Sequence, residues 1–205
     1  MTTLLHPTYF PNVAHFVKMV KSEFVVFEYY DNYQKQTYRN RTCIYAANGK
    51  LSLNIPVNYS QVNREFYRDV QIANIENWQS NHWKSITSAY NTSPFFEYYK
   101  DELISLFETK FENLYEFNMA CIQAVLDCLQ FKVHFQRSSA FEKKMNNTND
   151  WRHLVLAKKE PIYNLEPYFQ VFSTKYGFIE NLSILDVLFN LGPDSINYLK
   201  SQDLG

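Results

Sequence analysis

Residues 2–27 read TTLLHPTYFPNVAHFVKMVKSEFVVF, and their pattern decides the fold class. A short apolar run at 2–5 meets a loop with two prolines at 6–11. Residues 12–20 then carry Phe16, Met19 and Val20 at helical spacing, with Val13 adjacent. Residues 24–27 are an unbroken β-branched and aromatic run, the pattern of a strand buried on both faces. Strand, helix, strand in that order predicts a parallel βαβ pair. Loops at the strand ends of such a sheet are where ligand-binding groups are presented.

Working outward, Asn48 and Gly49 lie between strand-like runs at 42–46 and 51–57, which predicts a β-hairpin. Residues 69–73 add a short strand, and 132–136 return to the sheet. Residues 78–90 place His82, Ile86, Ala89 and Tyr90 on one helical face. Ser93 and Pro94 are read as the cap and first position of the next helix. A long amphipathic helix covers 112–131. Ser183 with Asp186 resembles a capping box, and Gly192-Pro193 ends that helix, with Gly192 as a left-handed cap. The polar, asparagine-rich stretch 137–150 is expected to be a mobile loop. The expectation is an α/β fold: a βαβ-type sheet built mainly from the first third, a β-hairpin, and a helical C-terminal two-thirds, in one domain spanning 1–205.

A chain of 205 residues can bury roughly 70% of its unfolded surface and needs neither disulfide nor metal to fold. Its 20 Lys and Arg balance 21 Asp and Glu, for a formal charge of −1, which argues against a general nucleic-acid binder. Gly49, Gly177, Gly192 and Gly205 are too far apart to write a P-loop or a dinucleotide fingerprint, and the sequence names no cofactor. Cys43, Cys121 and Cys128 form no CxxC pair, and the last two fall on an apolar helical pattern. The start lacks a signal-peptide pattern and no segment has the length of a membrane span, so the protein is expected to be cytoplasmic and reduced.

The chemistry-bearing stretch is NYQKQTYRNR, residues 32–41, which follows the second strand. Arg39 and Arg41 can each donate two parallel hydrogen bonds to a phosphate or carboxylate, and Lys35 adds a point charge. In this reading Tyr38 packs on the ligand and Asn40 fixes its hydroxyls. The competing reading is a solvated strand edge with 35, 37, 39 and 41 on one side. His6, at the end of the first strand, is the candidate general base, against a hydrogen-bonded loop histidine. Glu28 ends the second strand and is the other candidate proton-transfer group, against an internal ion pair that orients the arginines. With Tyr9, these residues are expected to line one concave pocket for an anionic, phosphorylated small molecule. His82 reads as a core histidine. No HxH, HExxH or Cys/His cluster is present, so no metal site is expected, and no serine or cysteine sits in a nucleophile context.

Four blocks resemble the WbqC-like protein family. HPTYFPNVAHF (residues 6–16) is similar to its QPxYLPWxGYF opening, KQTYRNR (35–41) to its KxxWRNR pattern, HWKSITSAYNTSPFF (82–96) to KxIxxAYxxxPYF, and NLSILDVLFNLGP (181–193) to its C-terminal block. The family's initial Gln is His6 here, and Asn12-Val13-Ala14 replaces its Trp-x-Gly. The resemblance implies a role in bacterial surface-polysaccharide biosynthesis, as a transferase acting on a nucleotide-linked sugar. The alternative is a non-catalytic module that binds a nucleotide or glycan within a biosynthetic complex.

Overall fold

A computed structural model of the chain describes residues 1–59, 65–75, 77–143, 148–158 and 160–204. Strand β1 (Thr2–Leu5), helix α1 (Val13–Val20) and strand β2 (Phe24–Phe27) form the opening unit. β1 and β2 pair in parallel, with Thr2 opposite Phe24 and Leu5 opposite Phe27. Asn12 caps α1 by accepting from the His15 amide at 3.0 Å. Every residue of α1 except Lys18 is buried. The expected stripe is therefore a fully enclosed helix, because α6 and α7, described below, also lie against it.

The hairpin is β3 (Arg41–Ala46) with β4 (Gly49–Asn54), closed by the Ala46–Gly49 pair. Gly49 has φ +97°, a conformation that glycine adopts without a Cβ penalty. A second ribbon, β5 (Val57–Asn58) with β6 (Gln71–Ile72), follows. Then come α2 (Trp78–Tyr90), α3 (Phe96–Glu108) and α4 (Leu114–Cys128). α3 begins at Phe96 with no side-chain cap, so Ser93 and Pro94 form the turn before it and not its first positions.

The chain then returns to the sheet twice. β7 (Phe135–Arg137) pairs in parallel with β2, and β8 (Thr148–Asp150) in parallel with β1. The four-stranded sheet has the order β7-β2-β1-β8, all parallel. Part of the stretch expected as a loop, 137–150, is thus strand, and residues 144–147 of it lie outside the described residues. The α/β architecture, with its parallel N-terminal sheet, hairpin and later helices, matches the expectation. Among the described residues no helix is long and apolar enough to cross a membrane.

The end of the chain forms α5 (Ser173–Tyr176), α6 (Ile184–Leu191) and α7 (Ser195–Ser201). Ser183 caps α6 by accepting from the Leu185 amide. Asp186 does not close the expected capping box. Its carboxylate is fully buried and accepts from Tyr90 Oη at 3.0 Å, Tyr168 Oη at 2.5 Å and Gln170 Nε2 at 2.8 Å. Several buried tyrosines behave in this way, the ring filling the core and the hydroxyl finding an acceptor, as Tyr67 Oη does on the Pro7 carbonyl; the buried Tyr115 hydroxyl is an exception, without a partner among the described residues.

Candidate functional site

All four strands of the sheet run the same way, so their C-terminal ends deliver His6 after β1, Glu28 after β2, Ser138 after β7 and Arg152 after β8 to one edge. A cavity of about 310 Å³ opens there, lined by His6, Asp31, Gln34, Arg39, Phe141, Arg152, His153, Val155 and Leu156.

The tract 32–41 reaches this edge as a chain of turns, not a strand. Gln36 takes φ +60°, and the backbone is clamped on both sides: Tyr38 N–H donates to the Val155 carbonyl at 2.8 Å, and its own carbonyl accepts from Tyr9 at 3.1 Å. Asn118 of α4 donates to the Arg39 carbonyl at 2.6 Å. Alternation along the tract is therefore lost. Lys35 is exposed, whereas Thr37 and Arg39 are buried.

Arg39 is fully enclosed, its guanidinium 5.3 Å from the Tyr67 ring centroid. Its Nη2 donates to Asp31 Oδ2 at 2.8 Å and lies 3.0 Å from His6 Nε2 and 3.5 Å from Nδ1. Asp31 Oδ2 is also 3.2 Å from His6 Nε2. Nε and Nη1 of Arg39 are buried and have no hydrogen-bond partner among the described residues. Burial, then the adjacent Arg39 charge, pushes His6 down to about 3, so the ring is neutral; its Nε2 donates to Asp31 or accepts from Arg39 according to which ring nitrogen carries the proton. Burial alone would raise the Asp31 carboxyl, but the His6 hydrogen bond and the Arg39 charge together hold it below the usual carboxylate range. His15, also buried, hydrogen-bonds the His6 backbone and fixes the loop that carries it.

Glu28 lies behind this group and is fully buried. Its Oε1 accepts from the Tyr30 amide at 2.8 Å and from Ser138 Oγ at 2.9 Å, and its Oε2 from Arg152 Nη1 at 3.0 Å. Arg152 also grips Asp150 through Nε and Nη2, so both edges of its fork are engaged. The bond to Asp150 holds Arg152 above its ordinary range.

The structure brings His6 and Arg39 to the cavity wall and Glu28 just behind it. The other five candidates lie elsewhere. Tyr9 is in the core, its hydroxyl 2.9 Å from His82 Nδ1. Lys35 extends over the Tyr59 ring at 5.1 Å. The Tyr38 side chain is buried and hydrogen-bonded to Glu160. Asn40 donates to the Ile55 carbonyl at 3.0 Å, tying the tract to the end of the hairpin. Arg41 begins β3 opposite Asn54. The cavity residues that sequence reasoning missed are Gln34, Phe141, Arg152, His153, Val155 and Leu156. Arg152 and His153 follow a strand whose composition, Thr-Asn-Asp, gives no strand signal. Burial raises all three cysteine thiols, and among the described residues no group of three or more His, Cys, Asp or Glu is arranged to hold a metal.

The arrangement can hold an anionic or strongly hydrogen-bonding group against Arg39 and exchange a proton at His6. No solved structure matches the chain at a significant level. An uncharacterized protein of Mycobacterium tuberculosis, Rv1507c, is 24% identical over 87% of each of the two chains. The model of the WbqC-like protein family matches residues 6–165, from the cavity histidine through Leu165. The chain belongs to the WbqC-like protein family.

Proposed function

We propose that this protein is a transferase acting on a nucleotide-linked sugar or a related phosphorylated metabolite in bacterial surface-polysaccharide biosynthesis, with His6 as the proton acceptor. One observation carries this reading: a neutral imidazole, oriented by Asp31 at 3.2 Å and flanked by an arginine with unused donors, opens on a cavity at the carboxyl edge of a parallel sheet. The hydroxyl or amino group of the acceptor loses its proton to His6 as its oxygen or nitrogen bonds to the transferred group. The leaving group departs with the electron pair of the bond that breaks.

A pKa of about 3, set by burial and then by the Arg39 charge, makes His6 a weak base in the unliganded site. Burial is the larger cause of that depression and the Arg39 charge the smaller, so a bound anion that cancels part of the Arg39 charge relieves only the second. A binding module without catalysis is favoured by a different observation: both ring nitrogens already lie beside Arg39 Nη2, at 3.0 and 3.5 Å. The family's Gln at this position points the same way. The test is incubation with nucleotide-linked sugars and amino-sugar or alcohol acceptors, with products identified by mass spectrometry. Turnover that falls by about 10²-fold or more in His6→Gln, with binding retained, supports the base role. Saturable binding without product from any donor leaves the module.

A further inference from the structure

The geometry points to a carboxylate, carried on a sugar ring, as the group that enters the cavity: a sugar acid held by Arg39 and packed against Phe141 and Leu156. The inference deepens the transferase reading and rests on it for the choice of a sugar.

The first argument is unspent hydrogen-bonding capacity. Arg39 is completely buried, yet Nε and Nη1 have no partner among the described residues. Leaving charged donors unpaired in the interior is costly, and an anionic acceptor that reaches Arg39 from the cavity it lines removes that cost. Arg152, the other cation lining the cavity, is already committed to Glu28 and Asp150.

The second argument is charge. The two guanidinium groups that line this cavity, Arg39 and Arg152, are paired with three carboxylates, Asp31 in the lining and Glu28 and Asp150 behind it. The exposed Lys35 of the tract points to Tyr59 instead. A phosphate monoester would add about 1.5–2 negative charges to a site that has no cationic excess. A carboxylate adds one, and its planar pair of oxygens matches a guanidinium edge.

The third argument is the wall. Phe141 is 49% and Leu156 46% exposed, and with Val155 they supply the apolar lining of the cavity, the Phe141 ring lying 5.2 Å from the Arg152 guanidinium. The C–H face of a sugar ring packs on such a surface, while Gln34 and His153 offer hydrogen bonds to hydroxyls. About 310 Å³ is at the lower end of small-molecule sites, which suits a monosaccharide.

The test compares three probes that share one ring, glucuronate, glucose 6-phosphate and glucose, by isothermal titration calorimetry on the full chain. Glucuronate is expected to bind about tenfold more tightly than either of the others. Arg39→Lys keeps the charge but loses the planar fork, and should weaken glucuronate about tenfold. Phe141→Ala, at a half-exposed position, should weaken it severalfold with at most a small loss of Tm from the Arg152 contact. Tighter binding of glucose 6-phosphate overturns the carboxylate assignment and leaves the transferase reading standing. Absence of saturable glucuronate binding, or affinity unchanged in both variants, also overturns it. Because binding is read without turnover, a failure to detect transfer does not bear on the outcome.

Discussion

His6 and Arg39, 33 positions apart in the chain, meet with the imidazole Nε2 3.0 Å from Nη2 of the guanidinium. Two groups this close cannot both carry positive charge at low cost, so the ring stays neutral and Asp31, touching both, holds the pair together.

Asp31 is thus the keystone of the cluster. Asp31→Asn leaves a fully buried guanidinium without its carboxylate, which is expected to cost about 3–5 kcal/mol, toward the lower end because Asp31 is partly exposed. Chemical denaturation measures the loss. Asp31→Ala does open a gap beside Nη2, and added formate should raise the Tm of that variant more than that of the parent, since a small carboxylate can occupy it. A variant as stable as the parent would show that Arg39 does not depend on this charge.

The dependence of stability on pH follows from the buried histidines. Burial pushes His6 and His15 down to about 3 and His82 to about 4. Each folded-state value lies below that of the unfolded chain, near 6.5, so the folded protein binds fewer protons than the unfolded one between those limits. Their stabilisation is complete above about pH 6.5 and is lost as pH falls toward 3–4. Asp186 opposes this. Burial pushes its carboxyl up to about 6, so its contribution is greatest in acid and declines as pH rises to about 6. Urea midpoints should therefore rise between about pH 4 and pH 6.5, and more steeply in Asp186→Asn, which removes the opposing group. A flat profile would contradict the neutral burial of these rings.

Much of the fold was legible because its signals are local. The apolar runs 2–5 and 24–27 and the helical spacing between them define β1, α1 and β2, and Asn48-Gly49 defines the hairpin. The outer strands were harder to read. β8 is Thr-Asn-Asp, a composition with little β propensity, and it pairs with β1 across 146 positions of sequence, Thr2 opposite Thr148. The same holds for the site. His6 and Arg39 stood out as polar residues beside strand ends, but the turns of the tract undo period-two reasoning. Tyr38, Asn40 and Arg41 therefore leave the cavity while Arg39 enters it. Arg152 and His153 carry no motif and become visible only once β8 is placed.

Helix α6 and its end offer a sharper stability test. Gly192 has φ +53° and ψ −123°, so its φ is positive as expected, but the ψ lies outside the left-handed helical region. A Cβ there would meet the Phe95 ring at 2.5 Å. Gly192→Ala is expected to cost about 2–5 kcal/mol from strain and overpacking together. Leu188→Ala, at a fully buried position, should cost about 2–5 kcal/mol from lost contact and cavity. Thermal and urea unfolding would register both. A neutral Gly192→Ala would mean that Phe95 and the backbone rearrange at little expense.

Glu28 decides between two roles that the sequence left open, proton transfer and an internal ion pair. Its carboxylate is fully buried, with Arg152 as its one cationic partner among the described residues, and the bond joins the end of β2 to the segment after β8. Arg152→Met strands that charge and is expected to cost about 3–5 kcal/mol, because the Tyr30 amide and Ser138 hydroxyl satisfy oxygens but do not neutralise them. Glu28→Gln alone leaves Arg152 its Asp150 partner, so it should cost less. In the double variant the penalties should fall short of additivity by about 0.5–3 kcal/mol, the coupling of a direct pair. A measured cycle of that size, with turnover in Glu28→Gln falling only in proportion to folded protein, assigns Glu28 to the architecture of the sheet edge. A Glu28→Gln protein that is as stable as the parent, binds ligand and yet has lost turnover would return the proton-transfer role to this carboxylate and take it from His6.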